Sequence, residues 1–194
     1  MSRILAFSGS SRADSFNTRL VAIAAAGAGD AGAEVTRINL GDFPMPLMNE
    51  DLEASEGMPA AAREFKQLMI GHDGFLIASP EYNSAFSPLL KNALDWASRS
   101  EAKDEPPLQG FRGKVATLMA ASPGALGGLR GLVFLRMMLG NLGVIVLPDQ
   151  LAVREAWKAF NEDGSLVDEN QQQAVRDLGA QTVKRVQQLS GSST

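Results

Sequence analysis

The sequence predicts a three-layer α/β sandwich in which a five-stranded parallel sheet lies between two layers of helices. Five short apolar segments alternate along the chain with segments whose apolar residues recur at helical spacing. The last three of these segments are almost continuously apolar, which is typical of parallel strands covered by helices on both faces. Consecutive βα units of this kind form an open, doubly wound sheet with right-handed crossovers.

Each predicted strand is a short apolar run bounded by polar or turn-forming residues. In chain order the runs are RILAFS, EVTRINL, GFLIAS, KVATLMA and GVIVLP. They predict strands at residues 3–8, 34–40, 74–79, 114–120 and 143–148.

Two helices are predicted before and after the second strand. The first begins near Asp14 or Ser15, and the second follows Pro59, since proline is favoured at a helix start. Residues at helical spacing mark their buried faces. These are Leu20, Ile23, Ala24 and Gly27 in the first helix, and Ala61, Phe65, Leu68 and Met69 in the second.

Three further helices follow the third, fourth and fifth strands. Ser87 and Pro88 provide the N-cap and first turn of the third helix. The fourth is predicted at residues 127–141 and the last at residues 168–189. One face of the last helix is formed by Val175, Leu178, Thr182, Val186 and Leu189.

Composition indicates one globular domain, residues 1–194. The chain has 194 residues, 45% of them hydrophobic and 21% charged, which is enough to bury a core of ordinary size. The formal net charge is −4, and no block of Lys or Arg is present. Nucleic acid and anionic membranes are therefore not expected as partners. The expected partners are small molecules or copies of the chain itself.

The chain contains no cysteine, which excludes disulfides, thiolate nucleophiles and cysteine-ligated metals. Redox chemistry would therefore need a bound cofactor, and no metal site is expected. The N-terminal apolar run is too short for a signal peptide, and no run approaches the ~20 residues of a membrane span. We expect a soluble, cytoplasmic protein.

A polar loop, GSSRADSFNTRL at residues 9–20, connects the first strand to the first helix. Free backbone N–H groups and the helix dipole favour an anion at such a position. The loop adds hydroxyl, amide and guanidinium donors that suit a terminal phosphate, although a plain polar turn with a good N-cap is the alternative. It lacks the further glycines of a dinucleotide fingerprint and the Gly-Lys-Ser/Thr ending of a P-loop. Its candidate donors are Ser10, Ser11, Arg12, Ser15, Asn17 and Thr18.

A second loop follows the third strand and reads SPEYNSAFSPLLKNALDWAS, residues 79–98. In the flavodoxin-type strand order 2-1-3-4-5, strands one and three are neighbours, so the two loops meet at one sheet edge. A planar ring could then lie between them, with backbone groups of residues 80–83 at its edge. The alternative is simply a proline-terminated strand followed by a capped helix.

Three motifs together resemble the NADPH-dependent FMN reductase family, the flavodoxin-like group that includes chromate, quinone and azo reductases. The first loop is similar to that family's G-S-x-R-x-x-S-x-N segment and the second to its S-P-E-Y-N…L-K-N-A-[IL]-D-W segment. The third motif is AASPGALGGLRG at residues 120–131. The similarity continues through residues 147–153 and 160–169, and so covers nearly the whole chain.

The resemblance implies FMN as cofactor, NADPH or NADH as co-substrate, and a small-molecule electron acceptor. Hydride passes from nicotinamide to the flavin, so no catalytic side chain is expected. The phosphate-binding roles fall on Ser10, Arg12, Ser15, Asn17, Phe16 and Thr18. The ring-binding roles fall on Pro80, Glu81, Tyr82 and Asn83, and the loop on the far side of the flavin contains Ser122, Gly124, Gly127 and Gly128.

Two classes of function are consistent with these motifs. One is an FMN-dependent NAD(P)H oxidoreductase acting on quinones, azo compounds, metal oxyanions or free flavin. The other is a non-enzymatic FMN-binding electron-transfer protein served by a partner reductase. A carrier is expected to stack aromatic residues on both flavin faces and to be strongly acidic. With 6% aromatic residues and a net charge of −4, the chain favours the enzyme.

Several residues outside these motifs carry narrower expectations. Phe86 departs from the family pattern and is a candidate for narrowing or reshaping the pocket. The loop at residues 41–59 is a candidate for lying over the site. His72 is expected at the surface or at a strand edge rather than in catalysis. Arg130 and Arg136 are expected on a solvated face or in a salt bridge at an interface between chains, with cofactor phosphates as an alternative partner of Arg130.

The third and fourth helices have more apolar surface than a helix flanking a sheet needs. We therefore predict a homodimer or homotetramer in which these helices pack against their copies across a two-fold axis. The alternative is that the loop at residues 41–59 covers them within one chain.

Overall fold

A computed structural model describes residues 1–191 as an α/β sandwich around one five-stranded parallel sheet. The strand order is β2-β1-β3-β6-β7, which confirms the predicted order 2-1-3-4-5 because β4 and β5 form a separate hairpin. The strands are β1 (Arg3–Ser8), β2 (Glu34–Asn39), β3 (Gly74–Ala78), β4 (Glu81–Tyr82), β5 (Ala85–Phe86), β6 (Val115–Ala121) and β7 (Ile145–Val153). The helices are α1 (Phe16–Asp30), α2 (Glu50–Glu56), α3 (Ala60–Gly71), α4 (Pro88–Ala97), α5 (Leu129–Asn141), α6 (Ala156–Ala159) and α7 (Glu169–Gly191).

The sheet separates two apolar cores, each made by helices packing on one of its faces. Side chains of α1 and α7 fill one core, and side chains of α3, α4 and α5 fill the other. Within the described residues, no helix is long and apolar enough to cross a membrane.

Helices α1 and α7 approach each other backbone to backbone through two glycines. A Cβ atom on Gly27 would overlap the carbonyl oxygen of Arg176, and one on Gly179 would overlap that of Ala24. The close approach fixes the position of α1, whose N-terminus follows the polar loop after β1.

The loop at residues 41–59 packs against α4 and includes the helix α2, which was not predicted. Trp96 of α4 is fully buried, and its indole Nε1 donates to the carbonyl of Pro46 at 2.8 Å. Asn92 holds the same loop by donating to Pro46 and accepting from the backbone N–H of Met48 at 2.8 Å. The alternative stated for α4, that the loop at residues 41–59 covers it within one chain, therefore describes this helix, and the oligomer itself stays a prediction.

Helix α5, in contrast, keeps an uncovered apolar face in the single chain. Leu132, Leu135 and Leu139 are fully buried against the sheet, whereas Val133 and Met137 are 58% and 59% exposed. Phe134, at 46% exposure, lies beside them. The predicted surplus of apolar surface is confirmed for this helix.

Strand β7 is longer than the predicted 143–148, because it continues through the polar residues that interrupt its apolar run. Its register against β6 shifts between Ala116 and Leu118, so that a bulge contains Pro148. Arg136 of α5 donates to the carbonyl of Leu147 at 2.7 Å and more weakly to those of its neighbours Val146 and Pro148. Arg136 is therefore partly buried against β7, and among residues 1–191 it forms no salt bridge.

His72 is buried, so the expected surface position is wrong, whereas the other expected position, at a strand edge, agrees with its contact to β2. Its Nδ1 lies 2.6 Å from the carbonyl of Leu68, and its Nε2 lies 2.8 Å from the hydroxyl of Thr36. The imidazole thus joins the C-terminal end of α3 to the edge strand β2.

Candidate functional site

Three loops meet at the carboxyl ends of β1, β3 and β6 and line a pocket of about 200 Å³. The loops are those predicted to bind phosphate, the flavin ring and its far side. The lining residues are Ser10, Arg12, Ser15, Phe16, Asn17, Pro80, Glu81, Tyr82, Ala121, Ser122 and Pro123.

A second and more open groove, of about 450 Å³, lies along α1 between β2 and α7. Residues of the second and third loops do not line it. Ligands of open α/β sheets bind outside the carboxyl ends of the strands, so the pocket between the three loops is the better candidate site.

Hydrogen-bond donors gather at the end of the pocket formed by the first loop. Ser15 caps α1 by accepting from the backbone N–H of Thr18 at 3.3 Å, and Ser10 accepts from that of Arg12 at 3.3 Å. Each hydroxyl therefore keeps its own proton to donate. Arg12 is exposed, donates to the carbonyl of Asp14 at 2.6 Å and lies 5.5 Å from the Phe16 ring centroid.

The buried side chain of Asn17 connects the first loop to the end of β6. Its Nδ2 donates to the carbonyl of Ala121 and its Oδ1 accepts from the Ala121 backbone N–H, both at 2.9 Å. The hydroxyl of Thr18 pairs in a similar way with that of Ser8 at 2.8 Å. The side chains of Asn17 and Thr18 thus hold the loop together.

The side chain of Glu81 connects the second loop to α5. Arg130 donates to one carboxylate oxygen through Nε at 2.9 Å and Nη2 at 2.5 Å, and the backbone N–H of Gly131 donates to the other at 3.1 Å. Burial raises the pKa of the Glu81 carboxyl, but the Arg130 guanidinium and the Gly131 N–H outweigh burial and hold that pKa below its ordinary value. Arg130 is therefore in a salt bridge.

A tight turn orients the second loop. Asn83 and Ser84 both have positive φ, 51° and 71°, as a two-residue hairpin turn of type I′ requires. The antiparallel pair β4 and β5 places Glu81 opposite Phe86. Phe86 packs against the core and is absent from the pocket lining, so the expectation that it narrows the pocket is wrong.

The model of one protein family, described as NADPH-dependent FMN reductase, matches residues 2–158 of this chain. The chain belongs to the NADPH-dependent FMN reductase family. Family membership makes the protein an FMN-dependent NAD(P)H oxidoreductase and confirms FMN and NAD(P)H as the predicted cofactor and co-substrate. The alternative of a non-enzymatic carrier is not favoured.

Relatives of this reductase match along most of both chains. It is 34% identical to an NAD(P)H-dependent FMN reductase from Pseudomonas aeruginosa, over 90% of this chain and 89% of that one. It is 36% identical to an NADPH:quinone oxidoreductase from Arabidopsis thaliana, over 86% and 83%. A solved structure, the NAD(P)H:(acceptor) oxidoreductase FerB from Paracoccus denitrificans, aligns with a TM-score of 0.80 at 26% identity, over 97% of this chain and 98% of that one.

Most of the predicted site residues of the reductase line one pocket, but five do not line it. For two of these five, Gly127 and Gly128, the structure shows why a glycine is needed. Gly127 and Gly128 have positive φ, and a Cβ on either would lie 2.8 Å from the backbone of Val153 or the side chain of Ala120. These glycines shape the turn into α5. The five residues are Thr18, Asn83, Gly124, Gly127 and Gly128.

Sequence reasoning missed residues that line or support the pocket of this reductase. Ala121 and Pro123 flank the predicted Ser122 and line the pocket with it. Ser87, noticed only as a helix cap, also donates to the carbonyl of Gly9 at 2.5 Å and so joins the first two loops. The glycine at position 9 is what could have indicated this contact in the sequence, because a Cβ there would lie 2.8 Å from the Ser87 hydroxyl.

Proposed function

We propose that this reductase binds FMN in the pocket between the three loops, with the phosphate at the first loop and the ring at the second and third. The observation that carries the proposal is the chemistry of the donors at the first loop. The N-terminus of α1, two hydroxyls with free protons and the Arg12 guanidinium meet there, and the pocket lining at that end contains no carboxylate.

The phosphate is assigned to six residues of the first loop. Ser10, Arg12 and Ser15 donate through side chains, while Phe16, Asn17 and Thr18 act through the start of α1. When bound, FMN supplies the hydride chemistry. The residues of this chain bind it, orient it and leave one side of the ring open to substrates.

The ring is assigned to residues on the other two loops. Backbone groups of residues 80–83, namely Pro80, Glu81, Tyr82 and Asn83, receive its edge. The third loop passes its far side with Ser122, Gly124, Gly127 and Gly128. No side chain of the pocket is required as a general acid or base.

We further propose a quinone as the electron acceptor. Support comes from the curated quinone reductases among the relatives and from the exposed Tyr82, 55% accessible, at the rim of the pocket. Azo compounds, chromate and other metal oxyanions, and free flavin are the competing acceptors. The protein is proposed to act in the cytoplasm as one domain, residues 1–194.

We expect ping-pong kinetics, since NAD(P)H and the acceptor would use the same open side of the ring in turn. Initial rates of the purified holoprotein with each nucleotide and a benzoquinone should give parallel double-reciprocal lines. Intersecting lines would show a ternary complex. If the protein holds no FMN, either as purified or after incubation with FMN, the proposed function is overturned.

Replacing Arg12 with Ala is expected to weaken FMN binding roughly tenfold to more than a hundredfold. A charged contact to phosphate contributes about 1.5 to 3 kcal/mol, and about 1.4 kcal/mol changes affinity tenfold. Riboflavin lacks the phosphate, so its affinity should stay the same. Titration of apoprotein with both flavins tests this, and an equal loss for both would show that Arg12 does not contact the phosphate.

We propose that the exposed apolar face of α5 forms a homodimer contact, on which a homotetramer can be built. Val133, Phe134 and Met137 lie on one side of the helix and are all more than 40% exposed. Arg130 stands at the pocket end of the same face, so the contact would bring a second copy close to the flavin.

The dimer is expected to dissociate when Phe134 is replaced by Lys, because a charge would be buried in an apolar contact. Val167→Lys is the matched control, since Val167 is 59% exposed on a different part of the surface. Light scattering at micromolar concentration gives the mass. A mass near the 20.6 kDa of one chain for the unmodified protein would reject the oligomer.

A further inference from the structure

The ion pair between Glu81 and Arg130 joins two elements that are 49 residues apart in the chain. The Glu81 side chain is 8% exposed, although the Arg130 side chain is 57% exposed. Both oxygens of the carboxylate accept hydrogen bonds from α5, one from Arg130 and the other from the backbone of Gly131. The carboxylate is therefore turned away from solvent and held by the first turn of that helix.

The first turn of α5 has no side-chain cap of its own, because its N-cap residue is Gly128. The Glu81 carboxylate takes that place from a different loop, where the helix dipole favours a negative charge. Besides this ion pair, α5 and the hairpin of β4 and β5 are in close backbone contact. A Cβ on Gly131 would lie 3.2 Å from the carbonyl oxygen of Ala85, so α5 rests directly on the hairpin of β4 and β5.

We propose that Glu81 is a positioning residue for the flavin ring, and that Arg130 and the N-terminus of α5 hold it in place. The proposal deepens the proposed function, on which it rests, since the backbone of residues 80–83 is the part that receives the ring edge. Arg130 then holds the second loop, called the ring loop below because its residues 80–83 receive the ring edge. The phosphates of the nicotinamide cofactor are bound elsewhere.

The test compares the binding of FMN with that of riboflavin, which has the same ring but lacks the phosphate. Glu81→Gln keeps the size of the side chain but removes its charge, so the ring loop loses its anchor while the phosphate loop stays intact. We expect riboflavin and FMN to bind about tenfold more weakly, by the same factor. The ratio of the two affinities should therefore equal that of the unmodified protein, in contrast to the changed ratio expected for Arg12→Ala.

The experiment measures both affinities by fluorescence titration of apoprotein, together with the visible circular dichroism of the bound flavin. It compares Glu81→Gln, Arg130→Gln and the double variant. We expect the double variant to lose no more affinity than either single variant, because both changes break one contact. We also expect the visible circular dichroism of each variant to differ from that of the unmodified protein. Arg130→Gln alters an exposed side chain and is therefore expected to fold. It breaks the same ion pair, so it can be measured in place of Glu81→Gln if that variant folds poorly.

Glu53→Gln is the matched control, because Glu53 forms a similar, partly buried pair with Arg99 away from the pocket. Its flavin affinities should match those of the unmodified protein. Additive losses, a loss for FMN alone, or a lower melting temperature with unchanged riboflavin affinity would each overturn the positioning role. Failure of the unmodified protein to bind either flavin would instead overturn the proposed function, and it is measured first.

Discussion

Replacing Gly179 with Ala is expected to destabilise the fold by about 3 kcal/mol, because the new methyl group has no space between α1 and α7. It would overlap the backbone of Ala24 and approach that of Ala28, and backbone cannot move aside as a flexible side chain can. For a chain of this length the melting temperature should fall by roughly 6 to 12 °C. Thermal and urea unfolding of the apoprotein measure the change.

Gly29→Ala is the control for this substitution. Gly29 lies in α1, the helix that α7 packs against, but a Cβ there would have no atom within 4 Å. Alanine is the better helix former, so this variant should be equal in stability to the unmodified protein or up to about 1 kcal/mol more stable. Equal stabilities of the two variants would show that the helices can separate without cost.

Replacing Asn17 with Ala is expected to lower the stability of the apoprotein by about 2 to 4 kcal/mol. The substitution leaves both backbone groups of Ala121 without their partners in a buried position, and each such loss costs about 1 to 3 kcal/mol. FMN binding should weaken as well, because the first loop and the end of β6 are no longer joined.

Urea unfolding without flavin distinguishes this role of Asn17 from a direct one. If Asn17 served only as a phosphate ligand, the variant would bind FMN weakly but unfold like the unmodified protein. Asn170→Ala is the control, since Asn170 is exposed on α7 and its stability should change little.

The features that were predicted correctly from sequence depend on local patterns. Apolar runs identified the strands, and Ser15 and Ser87 marked helix starts that the structure confirms as N-caps. The three loops chosen by the rule that ligands bind at the carboxyl ends of parallel strands do meet at one pocket, and their role in binding stays a prediction.

The features that were missed depend on contacts between distant residues. Asn17 bonds to a residue 104 positions away, and no local pattern separates this use of an amide from phosphate binding. Trp96 and Pro46 are 50 positions apart, so the apolar surplus of α4 could not decide between cover by a second chain and cover by the loop at residues 41–59, which was named only as the alternative. Strand β7 was predicted too short because Pro148 and the polar residues after it resemble a turn, whereas an edge strand tolerates both.

The bulge in β7 protects one edge of the sheet from pairing with a strand of another molecule. An edge strand presents unpaired backbone groups that can recruit a strand from another molecule and extend the sheet between molecules. Here Pro148 has no N–H to offer, and Arg136 occupies the carbonyls of its neighbours. Backbone pairing with a strand of another molecule is therefore blocked along this stretch of β7, so this edge of the sheet cannot serve as the template on which a fibre grows.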